Sequence, residues 1–345
     1  MKKFTLLLHF LFALILVGCT NQPTPAGGSQ PPEAEAPTQT SEPVQPAQEI
    51  PPTNTPLLPT ASPEPSATTA PPAPTATDEP PTAEALPPLP AEPQRIEFPS
   101  EDGRMLVGTF YPAAINPAPV VVLMHEGLAE RSQMEPLALW LQNRPYEVAA
   151  GPTGKTAYDW MPPFPTEIGS VAVFTFDMRG HGESEGSMPA NEQAIDYSMD
   201  ARAAIALAKT LEGVDPDRVI SIGASMFADA ALNGCIALDG TDILPEQPGN
   251  GCAGVLSLSP FDFSGVPFDQ ATDAFLSTPA TPILWCLHSE EDYQPETCRA
   301  VDGKERVVTE IYPGKTHGIA FFQPGFDPDV GQLFVDFLVS SLAVP

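Results

Sequence analysis

Residues 219–232 read Val-Ile-Ser-Ile-Gly-Ala-Ser-Met-Phe-Ala-Asp-Ala-Ala-Leu, and the rest of the chain is organised around this stretch. Its first half is a short apolar run, preceded by the turn signal Asp-Pro-Asp at 215–217, which predicts a strand buried on both faces. Its second half is rich in alanine and predicts a helix. Ser225 lies on the sharp turn between them, beside the free N–H groups of a helix N-terminus, where an oxyanion can be held. Ser225 is therefore a candidate nucleophile, and the alternative is an ordinary helix N-cap.

The chain has 345 residues and a formal net charge of −29, and this charge limits the partners that it can bind. Such acidity disfavours binding to nucleic acid, whose phosphates would repel it, and otherwise serves solubility. Residues 21–93 contain about half of the 45 prolines and no Lys or Arg. That segment cannot bury enough apolar surface to offset its ordering entropy. We therefore predict a disordered linker over residues 19–94 and a globular domain over residues 95–345.

The N-terminus has the composition of a secretory signal. Lys2 and Lys3 precede an apolar run at residues 4–17, which is too short for a comfortable transmembrane helix. The sequence Leu-Val-Gly-Cys then ends at Cys19 and resembles the lipobox of bacterial lipoproteins, in which the cysteine is lipidated after cleavage. The resemblance implies a signal peptide over residues 1–18 and a protein anchored through Cys19 at the extracytoplasmic face of the cell membrane. The alternatives are cleavage by an ordinary signal peptidase and retention of an uncleaved anchor.

Four cysteines lie in the predicted domain: Cys235, Cys252, Cys286 and Cys298. An even number in an exported domain indicates two disulfides, for which three pairings are open. Proximity along the chain favours Cys235 with Cys252 and Cys286 with Cys298, and each bridge would close a short loop worth about 3 kcal/mol. Four reduced, buried cysteines are the alternative. A metal site is disfavoured because the spacings lack a C-x-x-C pair.

Apolar runs and turn signals divide the domain into alternating strands and helices. Two antiparallel strands are predicted at residues 95–98 and 105–111, joined by a Glu-Asp-Gly turn. Besides the strand before Ser225, further strands are predicted at residues 119–124, 171–176, 252–258, 282–287 and 306–311, and helices at residues 134–142, 193–211 and 330–342. This alternation predicts a doubly wound, mostly parallel α/β sheet, with ligands bound at the carboxyl ends of its strands.

The segment at residues 143–170 has no clear period and contains Tyr158, Trp160 and Phe164 among several prolines and glycines. A loop of this length inside a compact domain is usually functional or mobile. We interpret it as a wall or lid of a substrate pocket, and the alternative is a passive surface excursion.

Four motifs together resemble the α/β-hydrolase family over nearly all of the predicted domain. They are His125-Glu126-Gly127, the Asp-x-Arg-Gly-His-Gly-x-Ser run at residues 177–184, the Gly-Ala-Ser elbow at residues 223–225 and Gly-Lys-Thr-His-Gly at residues 314–318. Glu126 stands where many members carry glycine and is similar to the dienelactone-hydrolase branch. The resemblance implies the α/β-hydrolase fold, no cofactor and no metal, and catalysis by serine, acid and histidine in that order along the chain.

The resemblance implies a role for each of three side chains in this sequence. Ser225 would attack the substrate, His317 would act as base and then as acid, and Asp292 would orient the histidine. A serine hydroxyl is a poor nucleophile until a neutral imidazole takes its proton, and the imidazole needs a carboxylate to fix its tautomer. Three other acids remain open for the last role: Glu290, Glu291 and Asp262.

The family pattern also implies an oxyanion hole made by the backbone N–H groups of Met226 and Gly127. His125 is interpreted as ordering this loop, and Glu126 is expected to contact the resting nucleophile. Phe227 departs from the pattern because it stands where the usual G-x-S-x-G elbow has its second glycine. That glycine lets strand and helix approach closely, so Phe227 must point away or push the helix outward.

These observations predict a lipid-anchored serine hydrolase that acts on a small-molecule carboxylic ester or a related acyl compound. One alternative is a non-catalytic surface binding protein on the same fold, which Phe227 would favour. The other is a serine peptidase or amidase, which is disfavoured because the domain lacks an added propeller or gating domain. Fold alone does not choose among these functions.

Overall fold

The computed structural model describes residues 91–144, 160–187, 195–247 and 249–342. The predicted signal peptide, the lipidation site Cys19, nearly all of the linker and residues 145–159 of the predicted lid lie outside the described residues. Within the described residues, eight strands form one sheet that has a hydrophobic cluster on each face. The predicted doubly wound, mostly parallel α/β class is therefore confirmed.

The main sheet has the strand order β1-β2-β4-β3-β5-β8-β9-β10. The strands are β1 Gln94–Pro99, β2 Met105–Tyr111, β3 Ala118–Met124, β4 Ala172–Asp177, β5 Val214–Ala224, β6 Leu238–Asp239, β7 Asp242–Ile243, β8 Gly254–Leu258, β9 Ile283–Ser289 and β10 Val307–Tyr312. β2 pairs antiparallel with β1 and β4, and all pairs from β4 to β10 across the main sheet are parallel. β6 and β7 form a separate hairpin, which the sequence did not predict.

Helices cover both faces of the sheet. They are α1 Glu135–Leu141, α2 Ile195–Ala208, α3 Ala228–Asn233, α4 Phe268–Leu276, α5 Glu296–Arg299 and α6 Val330–Leu342. Residues of α2, α3 and α4 contribute to one hydrophobic cluster, and residues of α1 and α6 contribute to the other. In the described part of the chain, no helix combines the length and the apolar character needed to cross a bilayer.

β3 shows why a continuous apolar run predicts a central strand. All seven of its residues are buried. Val120 and Val122 belong to the cluster under α2 and α3, whereas Val121 and Leu123 belong to the cluster under α1 and α6. Successive side chains of a strand point to opposite faces, so a strand covered on both faces must be apolar at every position.

β5 begins earlier than the sequence predicted. The Asp-Pro-Asp signal at 215–217 lies inside its bounds, at Val214–Ala224, instead of before them. Pairing with β3 shifts register between Ala118↔Val214 and Val120↔Val219, so residues 215–218 lie outside the regular ladder. Such an irregularity accommodates Pro216, which has no N–H to donate. The turn signal therefore marks an interruption of the strand.

The four cysteines of the domain form the two disulfides that their proximity favours. The S–S distance is 2.00 Å for Cys235–Cys252 and 2.01 Å for Cys286–Cys298, and all four residues are buried. Cys286 lies in β9 and Cys298 in α5. The second bridge therefore closes the segment of the chain that contains Asp292.

Candidate active site

Ser225 lies on a strained turn between β5 and α3. Its φ is +58°, which a residue with a side chain rarely adopts. Gly223 permits the turn, because a Cβ atom there would lie 2.2 Å from the carbonyl oxygen of Phe227 and 2.8 Å from Cβ of Ala231. Strand and helix therefore approach closely at Gly223, and the half-buried serine is held at the carboxyl end of β5.

Phe227 points away from this turn and is fully buried. Its ring centroid lies 5.1 Å from that of His125, 5.3 Å from that of His181 and 4.9 Å from that of Tyr197. The sequence allowed Phe227 either to point away from the turn or to push the helix outward, and the side chain points away. The helix is not pushed outward, because the carbonyl group of Phe227 remains packed against Gly223.

The three side chains of the predicted triad meet at this edge of the sheet. The Oγ atom of Ser225 lies 2.7 Å from Nε2 of His317, and Nδ1 of His317 lies 2.7 Å from Oδ2 of Asp292. When Nδ1–H donates to the carboxylate, Nε2 carries the lone pair that accepts the serine proton. The side chain of Asp292 is 11% exposed and that of His317 is 39% exposed, so the acid is shielded while the histidine faces the cleft.

The structure also distinguishes among the candidate acids. Within the described residues, Asp292 is the one that bonds His317. Glu290 and Glu291 are exposed, and their backbone N–H groups donate to the last residue of β10 and to Gly314 just after it. Asp262 is engaged elsewhere, because its Oδ1 accepts a backbone N–H at the start of α4.

Two other histidines near the site are buried and hold loops in place. Burial lowers the pKa of His125 to about 4, and burial also lowers the pKa of His288, so both rings are neutral near pH 7. Nε2 of His125 accepts the N–H of Met178 at 3.2 Å, and Nδ1 of His288 accepts the N–H of Ser289 at 2.9 Å. Each ring therefore orders the backbone at the end of a strand.

Gly127 and Met226, the two predicted oxyanion donors, belong to loops that touch. A Cβ atom on Gly127 would lie 2.2 Å from Sδ of Met226. Met226 directly follows Ser225 in a short 3-10 helix, Ser225–Phe227, that leads into α3. In the described residues, no acceptor pairs with the N–H of Gly127. Gly127 therefore packs against the side chain of the residue that follows Ser225.

Glu126 does not contact the nucleophile as the sequence predicted. Its Oε1 instead accepts the N–H of Ile319 at 2.6 Å, and its Oε2 accepts Nε2–H of Gln133 at 2.9 Å. The turn after His317 passes close to Glu126, so the backbone N–H of Ile319 binds the carboxylate in place of the nucleophile. Sequence reasoning missed Ser259, whose Oγ accepts the N–H of Gly318 at 3.0 Å. A polar residue directly after an apolar strand is the signal that could have identified it.

The run at residues 177–184 supports the loops around the site. Asp177 is buried and accepts the N–H of Arg131 at 2.7 Å and the N–H of Glu183 at 2.9 Å. Arg179 is also buried and pairs with Asp200 at 2.7 Å. Asp177 thus connects this run to the segment that follows Gly127, and Arg179 connects it to α2.

Sheet order and elbow together define the class of the fold. A mostly parallel sheet, with a serine on a strained turn after β5 and an acid and a histidine beyond β9 and β10, is the α/β-hydrolase fold.

Comparison with known protein sequences finds similarity over only part of this chain. No family model matches this chain. The chain is 30% identical over 156 residues to Uncharacterized protein YfhR of Salmonella typhimurium, and equally so to the protein of the same name in Salmonella typhi. The match covers 43% of this chain and 44% of each relative, so this chain spans less than half of the length of the curated relatives it matches.

Several solved structures are similar to this chain at low sequence identity. Esterase Pf2001 of Pyrococcus furiosus is 17% identical with a TM-score of 0.48, and the alignment covers 73% of this chain and 93% of that chain. The esterase Est2 of Thermogutta terrifontis is 17% identical with a TM-score of 0.44 and coverage of 73% and 94%. Est1E of Butyrivibrio proteoclasticus, solved with ferulic acid, is 14% identical with a TM-score of 0.46 and coverage of 72% and 100%.

Proposed function

We propose that this protein is a serine hydrolase that cleaves carboxylic esters or related acyl compounds through an acyl-enzyme intermediate. The single observation that carries the proposal is the continuous chain of contacts from Ser225 through His317 to Asp292, with 2.7 Å at both steps. A serine forced to φ +58° beside a helix start adds to it, because backbone strain of this kind concentrates at functional sites.

The first half of the reaction would form the acyl-enzyme. The Oγ atom of Ser225 attacks the carbonyl carbon while its proton passes to Nε2 of His317, and Asp292 stabilises the imidazolium that results. The N–H groups of Gly127 and Met226 would donate to the oxygen that becomes negative. When the tetrahedral intermediate collapses, the ester C–O bond breaks, and His317 returns the proton to the leaving alcohol.

The second half of the reaction would release the acid. Water loses a proton to Nε2 of His317 and attacks the acyl carbon, and the proton then returns to Oγ of Ser225 as the acid departs. The packing of Phe227 removes the main reason for preferring a non-catalytic binding protein, since the elbow keeps its close approach at Gly223.

Covalent labelling tests the nucleophile. A fluorophosphonate probe will add one phosphonyl group per wild-type chain, and peptide mass spectrometry will locate the adduct on Ser225. Ser225→Ala will remain unlabelled, whereas Ser277→Ala, which changes an exposed serine at the end of α4, will label like the wild type. An unlabelled wild type, or a labelled Ser225→Ala, would refute the proposal. A panel of nitrophenyl esters, thioesters and aminoacyl amides then separates an esterase from an amidase.

We further propose that the enzyme is held at the extracytoplasmic face of the membrane by lipidated Cys19, on a linker that precedes β1. The support is the Leu-Val-Gly-Cys sequence after a basic, apolar N-terminus. Metabolic labelling with a clickable palmitate analogue, in bacteria that express the full chain, will mark the wild type but not Cys19→Ser. Equal labelling of both proteins would disprove the anchor.

A further inference from the structure

The turn that carries His317 is held by side chains from two distant segments. His317 has an extended backbone and precedes a short 3-10 helix, Gly318–Phe321, that no side chain of its own caps. Ser259, at the end of β8, accepts the N–H of Gly318 at 3.0 Å. Glu126 accepts the N–H of Ile319 at 2.6 Å. The two N–H groups that directly follow the histidine are therefore both satisfied from outside the turn.

The carboxylate of Glu126 is fixed by a reciprocal pair of bonds with Gln133. Nε2–H of Gln133 donates to Oε2 of Glu126 at 2.9 Å, and the backbone N–H of Glu126 donates to Oε1 of Gln133 at 2.9 Å. Both carboxylate oxygens thus have a donor, and the side chain is half-buried. Because Glu126 directly precedes Gly127, this one side chain joins the oxyanion loop to the turn that carries His317.

The contact between this carboxylate and the turn is close enough to select the residue at position 318. A Cβ atom on Gly318 would lie 2.0 Å from Oε1 of Glu126, and the φ of Gly318 is +53°. Glycine is the residue that tolerates both the left-handed conformation and the contact. Glu126 is therefore packed directly on the backbone that sets the direction of the His317 side chain.

We propose that Glu126 and Ser259 are positioning residues, which set the place of the His317 imidazole relative to Ser225 and Gly127. The inference rests on the proposed hydrolase function. The His317 side chain is 39% exposed, so packing alone holds the ring weakly, and its place depends on the bond to Asp292 and on the position of its backbone. A misplacement of about 1 Å at a reacting group costs on the order of 10²-fold in rate.

Steady-state kinetics with nitrophenyl acetate on the full chain will test the role of Glu126. Glu126→Ala is expected to lower kcat by about 10- to 100-fold with KM within about twofold, because substrate contacts remain while the imidazole moves. The double variant Glu126→Gln/Gln133→Glu will keep kcat within about threefold of wild type, because the amide oxygen at position 126 still accepts the N–H of Ile319 and the amide N–H there donates to the carboxylate at position 133. Glu130→Ala is the matched control: among the described residues that exposed carboxylate accepts from the neighbouring Ser132 alone, so the substitution will leave kcat unchanged.

Ser259→Ala supplies an independent arm. It removes the other bond to the turn and is expected to lower kcat by about 3- to 10-fold. Combined with Glu126→Ala, the loss will differ from the product of the two single losses, because both side chains act on one turn. Thermal unfolding of every variant, and the far-downfield NMR signal of the His317 Nδ1 proton, report whether the fold and the contact with Asp292 survive.

The outcomes separate the positioning role from the reaction itself. A wild type with no turnover and no probe labelling would overturn the proposed function and the positioning role together. An active wild type with an equally active Glu126→Ala would overturn the positioning role alone. So would a Glu126→Gln/Gln133→Glu double variant that loses as much kcat as Glu126→Ala, since the acceptor at Ile319 would then be irrelevant.

Discussion

His317→Ala will lower kcat by about 10⁴- to 10⁶-fold while leaving thermal stability close to that of the wild type. The imidazole is the group within 2.7 Å of the serine hydroxyl that can accept its proton, so its removal leaves the hydroxyl un-ionised during attack. The side chain is 39% exposed, so truncating it opens no large buried cavity. Initial rates and calorimetric melting of purified protein will measure both quantities.

Asp292→Asn tests the other half of the same contact chain and will lower kcat by about 10⁴-fold. The amide can donate to Nδ1, which stabilises the wrong tautomer of His317 and removes the charge that supports the imidazolium. Glu290→Gln is the matched control, since this exposed acid lies two residues away in the same turn and will retain full activity. If Asp292→Asn remained active and Glu290→Gln did not, the assignment of the acid would be wrong.

Gly223→Ala will both destabilise the domain and inactivate it. The new methyl group would lie 2.2 Å from the carbonyl oxygen of Phe227 and 2.8 Å from Cβ of Ala231, so β5 and α3 must separate. Overpacking against backbone costs roughly 3 kcal/mol, which corresponds to a fall in Tm of about 5 to 10 °C for a domain of this size. The separation of β5 and α3 also moves Ser225 away from His317, and we therefore expect kcat to fall by about 10²-fold.

Gly303→Ala is a control that separates the loss of stability from the loss of activity. A Cβ atom at Gly303 would meet nothing within 4 Å, but the φ of +75° is unfavourable for alanine and costs about 1 to 2 kcal/mol. This turn follows α5, and we expect a lower Tm with unchanged kcat. The double variant Gly223→Ala/Ala231→Gly will recover part of the lost stability, because it relieves one of the two close contacts. A fully stable and active Gly223→Ala would contradict the close approach of strand and helix.

Several elements could be predicted from sequence because their signals are local. The apolar runs of β3 and β4 identified buried strands, and the serine after the apolar end of β5 marked the elbow. The interruption of β5 could not be predicted, because an Asp-Pro-Asp sequence is equally compatible with a turn before a strand and with a break inside one. Pairing with β3 decides between the two, and residues 215–218 are excluded from that pairing.

Choices among similar side chains were decided by the tertiary structure. Four acids satisfied the order that the chemistry needs, and only the path of the chain after β9 brings Asp292, and neither Glu290 nor Glu291, to His317. The direction of Phe227 depended on a pocket formed by rings from three other segments.

The strands, the elbow and the order of the reacting groups could be read from the residues, because strand, turn and helix preferences arise from neighbouring residues. Which groups meet depends on the tertiary structure. Serine and histidine lie 92 residues apart, and Glu126 and Ile319 lie 193 residues apart. Distances of a few ångströms between such segments follow from how the strands are ordered and packed, and no local pattern encodes them.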